Sequence, residues 1–374
     1  MKKKPRLVLI ANTSSFLRIY VLKHIETLSR GYKVYVCCNN ANQLKNLVPR
    51  NVSLIEINFK RGISFFNDVI TFFKTLFFFF TKKPNVSISF TPKIGFMVAV
   101  ISFIARTPKR LHWFTGQIWV WKKGIRKIFF KSIDKLIFLC SNYVLIDSYP
   151  QKHFLIKEKV ITDDKSIVLH KGSVGGVNIK KFKFNKKKRF KLRKKFSISK
   201  NTFVFLYLGR INKDKGLVEL IKAFNLIQKN RNVMLILVGP LEDNSLIDLI
   251  KKNKKILYFT YTTKPESWFS FSDILCLPSH REGFGTVVIE AAACGIPTLC
   301  SKIYGLIDSI VPNKTGIFHK VGSKNDIKKK MIYILNNKKI FRKYGVFARA
   351  RALKDFDQNL LSQKLKVFMS IKKN

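Results

Sequence analysis

Short runs rich in Val, Ile, Leu and aromatic residues recur along this chain, each followed by a stretch whose apolar positions have helical spacing. RLVLIAN, KVYVCC, SLIEINF, VSISF, RLHWF and YVLIDS lie in the first half, with helical stretches over 18–30 and 65–80 between them. A second series begins at Phe203: FVFLYLGR, NVMLILVGP, ILYFT, ILCLPS and TLCS, with a helical stretch over 216–229. Apolar runs this short, alternating with helices, predict parallel strands buried on both faces, since a parallel crossover needs a connection long enough to hold a helix. The expected class is α/β, with two successive doubly wound parallel-sheet domains.

A length of 374 residues, 47% of them hydrophobic, supports two such cores. Their junction shows in KGSVGGVNI, residues 171–179, which is Gly-rich and leads into the basic run KKFKFNKKKRFKLRKKF. We place an N-terminal domain at 1–178 and a C-terminal domain at 179–350. Residues 351–374 are expected to form a helix packing back toward the first domain. The basic run reads as a solvated face or a short helix.

With 72 Lys and Arg against 21 Asp and Glu, the formal charge is +51. Such an excess suits nucleic acid or an anionic membrane surface, although abundant Lys, Ile, Phe and Asn are also what an A/T-rich genome encodes. No helix-turn-helix, zinc-finger or RNA-recognition signature accompanies the charge, so nucleic acid is not the expected partner. The six cysteines show no C-x-x-C and no zinc spacing, and read as reduced core thiols of a cytosolic protein. The start, MKKKPRLVLIANTSS, imitates a signal peptide, but LVLIA is too short for its apolar region and reads as a first buried strand. The uncharged apolar run over 94–105 falls well short of the roughly 20 residues that a spanning helix needs.

Two facing domains of this class hold ligands beyond the carboxyl ends of their strands, in the cleft between them. In FVFLYLGRINKDKG, Gly209 permits a tight turn after a strand, while Arg210 and Lys215 supply the forked donor and the point charge that suit a diphosphate. In SHREGFGTVVIEAAACGIP, residues 279–297, a tight loop follows the strand ILCLPS and opens a helix. Gly283, Phe284, Gly285 and Thr286 thus stand where backbone N–H groups and the helix dipole favour phosphate. Glu290 lies inside that helix, suited to ribose hydroxyls, and Glu282 precedes the loop, suited to the sugar.

The E-x7-E pattern of Glu282 and Glu290, the GR-x4-KG segment over 210–216 and YGLIDSIVPNKTGIF over 304–318 together resemble the retaining family 4 glycosyltransferases, which have the GT-B fold. FTPKIGF over 90–96 and RLHWFTGQIWVWKKG over 110–124 resemble the branch that assembles bacterial O-antigen, capsule and related surface glycans, so nearly the whole chain is covered. The resemblance implies that Arg210 and Lys215 bind the donor diphosphate, Glu290 the ribose and Glu282 the transferred sugar. His112 matches the family's active-site histidine near the reacting sugar, and Thr115, Gly116 and Gln117 are expected in the acceptor pocket. The implied reaction is transfer of a hexose or N-acetylhexosamine, with retention, from a nucleotide sugar, UDP-linked, to a lipid-linked glycan on the inner face of the plasma membrane.

Two departures stand out. ANTSSF after the first strand replaces a Gly-Gly loop, leaving Asn12, Thr13 or Ser14 for any phosphate contact there, and the usual GVD after the hinge is Gly176-Val177-Asn178. No D-x-D metal motif ends a strand, so no metal or cofactor is expected. The rivals are a nucleic-acid-binding protein and a GT-B epimerase or phosphorylase, whose terminal signatures are missing. Finally, residues 65–80 carry more aromatic surface than one core stripe needs. Residues 122–137 set Ile125, Ile128, Phe129, Ile133 and Leu136 among basic residues, the pattern either of ordinary core packing with a solvated Lys face or of a helix lying on an anionic membrane.

Overall fold

The computed structural model describes residues 4–59, 62, 64–229 and 231–370. Met1, Lys2 and Lys3 of the basic start and residues 371–374 of the expected terminal helix lie outside them. The chain forms two units, one of residues 1–176 with 358–374, the other of 177–357.

In the first unit, β1 (Arg6–Thr13) leads through α1 (Ser14–Phe16) and a π-helical turn to α2 (Leu22–Leu28). Then come β2 (Lys33–Asn39), β3 (Ser53–Glu56), α3 (Phe65–Lys82), β4 (Val86–Phe90), α4 (Pro92–Ile104) and β5 (Lys109–Phe114). α5 (Gly124–Cys140), β6 (Tyr143–Ile146), α6 (Tyr149–Lys157) and β7 (Ser166–Val168) complete the pass. All seven strands pair in parallel, in the order β3-β2-β1-β4-β5-β6-β7. The strands are near-continuous apolar runs because helices cover both faces. Leu9, Ile88 and Leu111 are neighbours across the sheet and bury together on one side.

The second unit starts with α7 (Lys186–Lys195), β8 (Phe203–Leu208), α8 (Leu217–Ile227), β9 (Val233–Val238), α9 (Ile247–Lys251) and β10 (Ile256–Phe259). It continues with α10 (Pro265–Phe271), β11 (Ile274–Leu277), α11 (Thr286–Ala293) and β12 (Thr298–Ser301). α12 (Tyr304–Ile307), β13 (Gly316–His319), α13 (Lys324–Asn336) and α14 (Lys338–Asp355) end it. Its six parallel strands run β10-β9-β8-β11-β12-β13. Both sheets reverse direction of growth beside their first strand, β1/β4 in one and β8/β11 in the other, which is where doubly wound sheets hold ligands.

The expected boundary at 350/351 falls inside α14, a continuous helix whose Ala348 and Ala352 are both buried. The separate terminal element is α15 (Gln358–Ser370), which belongs to the first unit. There it buries Leu361, Leu365 and Met369, and the Ser362 hydroxyl lies 2.9 Å from His24 Nδ1. His24 Nε2 lies 2.7 Å from the Val174 carbonyl, so one imidazole ties together the two stretches of chain at the unit's edge. In the second unit, the Val177 N–H donates to the Phe356 carbonyl and Val177 bridges Asp357.

The basic run is the helix α7, and part of it is structural. Arg189 and Arg193 hold the two oxygens of Asp273 at 2.6 and 3.0 Å, and Arg189 also donates to the carbonyls at the end of α10. All six cysteines are buried free thiols. Among the described residues no helix is long and apolar enough to cross a membrane.

Candidate functional site

Three loops meet at the carboxyl ends of β8, β11 and β12 in the second unit. Behind β8, Gly216 leaves the chain in a left-handed conformation, and a Cβ there would stand 2.1 Å from the Pro278 carbonyl oxygen. Only glycine lets this loop lie directly on the end of β11. On the other side, a Cβ on Gly305 would come within 2.0 Å of the Glu282 carbonyl oxygen, so α12 packs on the backbone of Glu282 and Gly283. This contact explains physically why the 304–318 motif accompanies the E-x7-E loop.

The side chains converge in the same place. Lys215 Nζ lies 2.7 Å from Glu282 Oε1, and the Ser279 hydroxyl donates to that same oxygen at 2.8 Å. Both partners of the ion pair are mostly shielded from solvent. A charged pair so held, with a third donor fixing the carboxylate, is a preformed polar centre rather than a mobile surface bridge. Arg210 stands nearby on the β8 loop with its Nη1 2.7 Å from Glu242 Oε2, which also accepts from Asn212 at 2.9 Å. The buried Tyr207 hydroxyl donates to the Arg210 carbonyl at 2.6 Å. Burial raises the Tyr207 phenol well above its ordinary value, and the nearby Glu282 charge adds to this, so it remains a donor.

Beyond the loop, Gly285 caps α11 in the left-handed region and Thr286 opens the helix. The Phe284 side chain is buried against Phe356, so only its backbone is available to a ligand. Glu290, one and a half turns along, is partly buried. Loss of solvent raises its carboxyl from 4.5 to about 7, with Lys181 opposing the rise and Glu266 adding to it.

The first unit disposes its candidates differently. His112 lies within β5, beside Ser89 of β4, whose hydroxyl is 2.9 Å from its Nδ1. Strand alternation sends His112 and Phe114 to the side covered by α4, and Gly95 of that helix passes so close that a Cβ there would meet His112 Cε1 at 2.2 Å. The imidazole is 1% exposed, and burial lowers it to about 3, so it is neutral. It lies inside the layer between sheet and helix. Gln117 is fully buried, its Oε1 accepting from Gln151 at 3.3 Å, while Thr115 and Gly116 are half-buried. After β1, the Thr13 hydroxyl accepts from the Phe16 N–H that opens α1, and Ser14 bonds Gln43 at 2.9 Å.

Ser279, Glu242 and Asn212 were not singled out from sequence. Ser279 stands three residues before Glu282, the spacing at which a hydroxyl and a carboxylate meet across a tight turn. Glu242 follows the Gly-Pro that ends β9, a signal of the same kind as the one that marks Arg210.

A parallel-sheet pair of Rossmann type, with a basic and acidic loop cluster at the switch point of the second sheet, defines a GT-B protein. Residues 188–351 match the family of glycosyl transferases group 1, and this segment is a domain of that kind. It is similar to the capsular polysaccharide biosynthesis glycosyltransferase CapM of Staphylococcus aureus, 28% identical over 90% of this chain and 89% of that protein. It is also similar to the N,N'-diacetylbacillosaminyl-diphospho-undecaprenol alpha-1,3-N-acetylgalactosaminyltransferase of Campylobacter jejuni, 25% identical over 68% of this chain and 66% of that protein. Among solved structures, Anabaena HepE in complex with UDP and glucose shares the fold with a TM-score of 0.80 at 17% identity, covering 98% of this chain and 99% of that one.

Proposed function

We propose that this protein transfers a hexose or N-acetylhexosamine from a UDP-sugar to a lipid-linked oligosaccharide, with retention of configuration, during assembly of a bacterial surface polysaccharide such as capsule or O-antigen. The observation that carries the reading is the Lys215–Glu282 pair, locked by Ser279 beside Arg210 and the start of α11. Relatives named for capsule assembly and for a diphospho-undecaprenol acceptor support it, as does a neighbour of the same fold that holds UDP and glucose.

Departure of the nucleoside diphosphate builds negative charge on phosphate. Arg210, Lys215 and the N-terminal end of α11 meet that charge with fixed donors that need little reorganisation. As Lys215 turns to the diphosphate, Glu282 is left to hold the sugar hydroxyls and to steady the positive charge that develops at the anomeric carbon. Glu290 holds the ribose. Acceptor attack on the face the diphosphate leaves, within the ion pair, retains configuration. The neutralisation is done by side chains and helix dipole, so neither metal nor cofactor enters, and chelator treatment should leave the rate unchanged.

The acceptor's lipid places the enzyme on the inner membrane surface, through α3 and α5. Of the five apolar positions expected either in a core or on a membrane face, Ile125, Ile128, Phe129 and Leu136 are exposed and Ile133 is half-buried. A panel of UDP- and GDP-sugars assayed for nucleoside diphosphate release with a lipid-diphosphate acceptor tests the reading. One UDP-sugar should give release that depends on acceptor, with the α-anomer of the donor kept in the product. Absence of acceptor-dependent release across the panel would overturn it.

A further inference from the structure

α3 and α5 carry apolar residues on two faces, one against the core and one outside. On α3, Phe66, Ile70, Phe73 and Phe77 form one exposed stripe at helical spacing, while the buried positions of the same helix include Thr71 and Thr75. On α5, Ile125, Ile128, Phe129, Leu136 and Leu139 form a second exposed stripe, with buried Asp134 on the opposite side bonding Trp119 Nε1 at 2.7 Å. A helix that packs only against its own sheet keeps its outer face polar.

Between the two stripes runs an apolar groove of about 570 Å³, with Val69 and Phe73 on one wall, Phe129 and Ile133 on the other, and Phe96 and Met97 of α4 as its floor. Phe73 and Phe129 line the groove and are also more than half exposed, so it opens outward through the patch. Its volume lies in the range of a small-molecule site.

Charge decides what fits. Lys122 Nζ stands 5.1 Å from the centroid of Phe130, a wall residue, and Arg126 lies one turn before Phe129 and Phe130 on the same edge of α5. Asp68, the one acid among the described lining residues, is neutralised by Lys93 at 2.6 Å. A second copy of the chain seated symmetrically on this face would set Lys122, Lys123 and Arg126 against their own images, which opposes that occupant.

We infer that the groove takes the hydrocarbon chain of an anionic phospho-lipid drawn from the bilayer, with its phosphate at Lys122 and Arg126. It rests on the lipid-linked acceptor proposed above, whose chain would be held by the protein rather than left in the membrane.

Titration calorimetry with dodecyl phosphate below its micelle-forming concentration tests this without donor, vesicle or sugar transfer, so its outcome is separate from that of the transferase reading. Dodecyl phosphate should bind one per chain, and shortening the alkyl chain should weaken binding by about fourfold per methylene. Val69→Trp, which fills the groove, and Phe73→Ser, which wets it at an exposed position, should each weaken binding at least tenfold. Lys122→Glu should do the same, and Val367→Ser on α15 should not. Dodecyl trimethylammonium binding equally well, no dependence on chain length, or unchanged binding in both groove variants would each overturn the inference. So would a dimer in sedimentation that Phe73→Ser converts to monomer, which would make a second copy the occupant.

Discussion

Set α8 of the second unit beside α5 of the first. α8 turns Leu217, Leu220, Ile221, Phe224 and Ile227 onto its sheet and leaves Leu226 as its one large exposed apolar residue. α5 buries Ile137 and Phe138 but leaves Ile125 81% and Ile128 65% exposed. The two helices stand at different places in sheets of related order, α8 between β8 and β9 and α5 between β5 and β6. The second unit gathers its polar groups at a loop cluster. The other keeps a second apolar surface outside, rimmed by lysine, which is the composition of a face that meets lipid.

The contrast can be broken at several points. Replacing Lys122, Lys123, Arg126 and Lys127 by Glu should weaken cosedimentation with anionic vesicles on the order of 1,000-fold, at about 1 kcal/mol for each lost basic residue, while nucleoside diphosphate affinity survives. A variant that still sediments like wild type would remove α5 as the docking helix. Glu282→Gln should lower turnover by a factor on the order of 100, because the interaction is made mainly in the transition state. Free nucleoside diphosphate should bind it no more weakly, since Lys215 loses a competing partner; equal losses in binding and turnover would assign Glu282 to ground-state binding instead. Arg210→Ala and Lys215→Ala should each weaken nucleoside diphosphate binding about tenfold in calorimetry, the usual worth of one charged hydrogen bond. Unchanged affinity in both would remove the diphosphate from this loop.

A further expected change concerns stability. Burial raises the Asp147 carboxyl from 3.8 to about 8, with the Trp113 N–H opposing from 3.0 Å. The folded state holds this proton more tightly than the unfolded chain, so the contribution is complete below pH 3.8 and fades as pH rises through 8. Asp147→Asn keeps an acceptor for Trp113 and should flatten the fall of Tm between pH 4 and 8. A wild-type slope left intact would show that Asp147 is ionised in the fold.

Much of this was legible beforehand, for identifiable reasons. Parallel strands are continuous apolar runs, and the loops at their ends carry the glycines and charges that only a ligand or a tight packing contact requires, so Arg210, Lys215 and Glu282 could be named together. Other features need coordinates. FFNDVITFFKTLFFFF is aromatic nearly all round, so periodicity does not say which stripe faces inward; the small Thr71 and Thr75 were the marker. His112 is one residue among alternating apolar ones in β5, and its burial depends on Gly95 of α4 crossing over it. Arg189 and Arg193 are indistinguishable from their basic neighbours until Asp273, some eighty residues later, folds between them.

The place of α15 in the chain bears on how the molecule comes into being. The second unit is one uninterrupted segment and holds all its own core residues, whereas the first lacks Leu361, Leu365 and Met369 until everything between has been synthesised. The unit begun first is therefore completed second. Its nascent form, with His24 still without Ser362, is the species on which a chaperone would act, and that wait lasts as long as translation of the second unit.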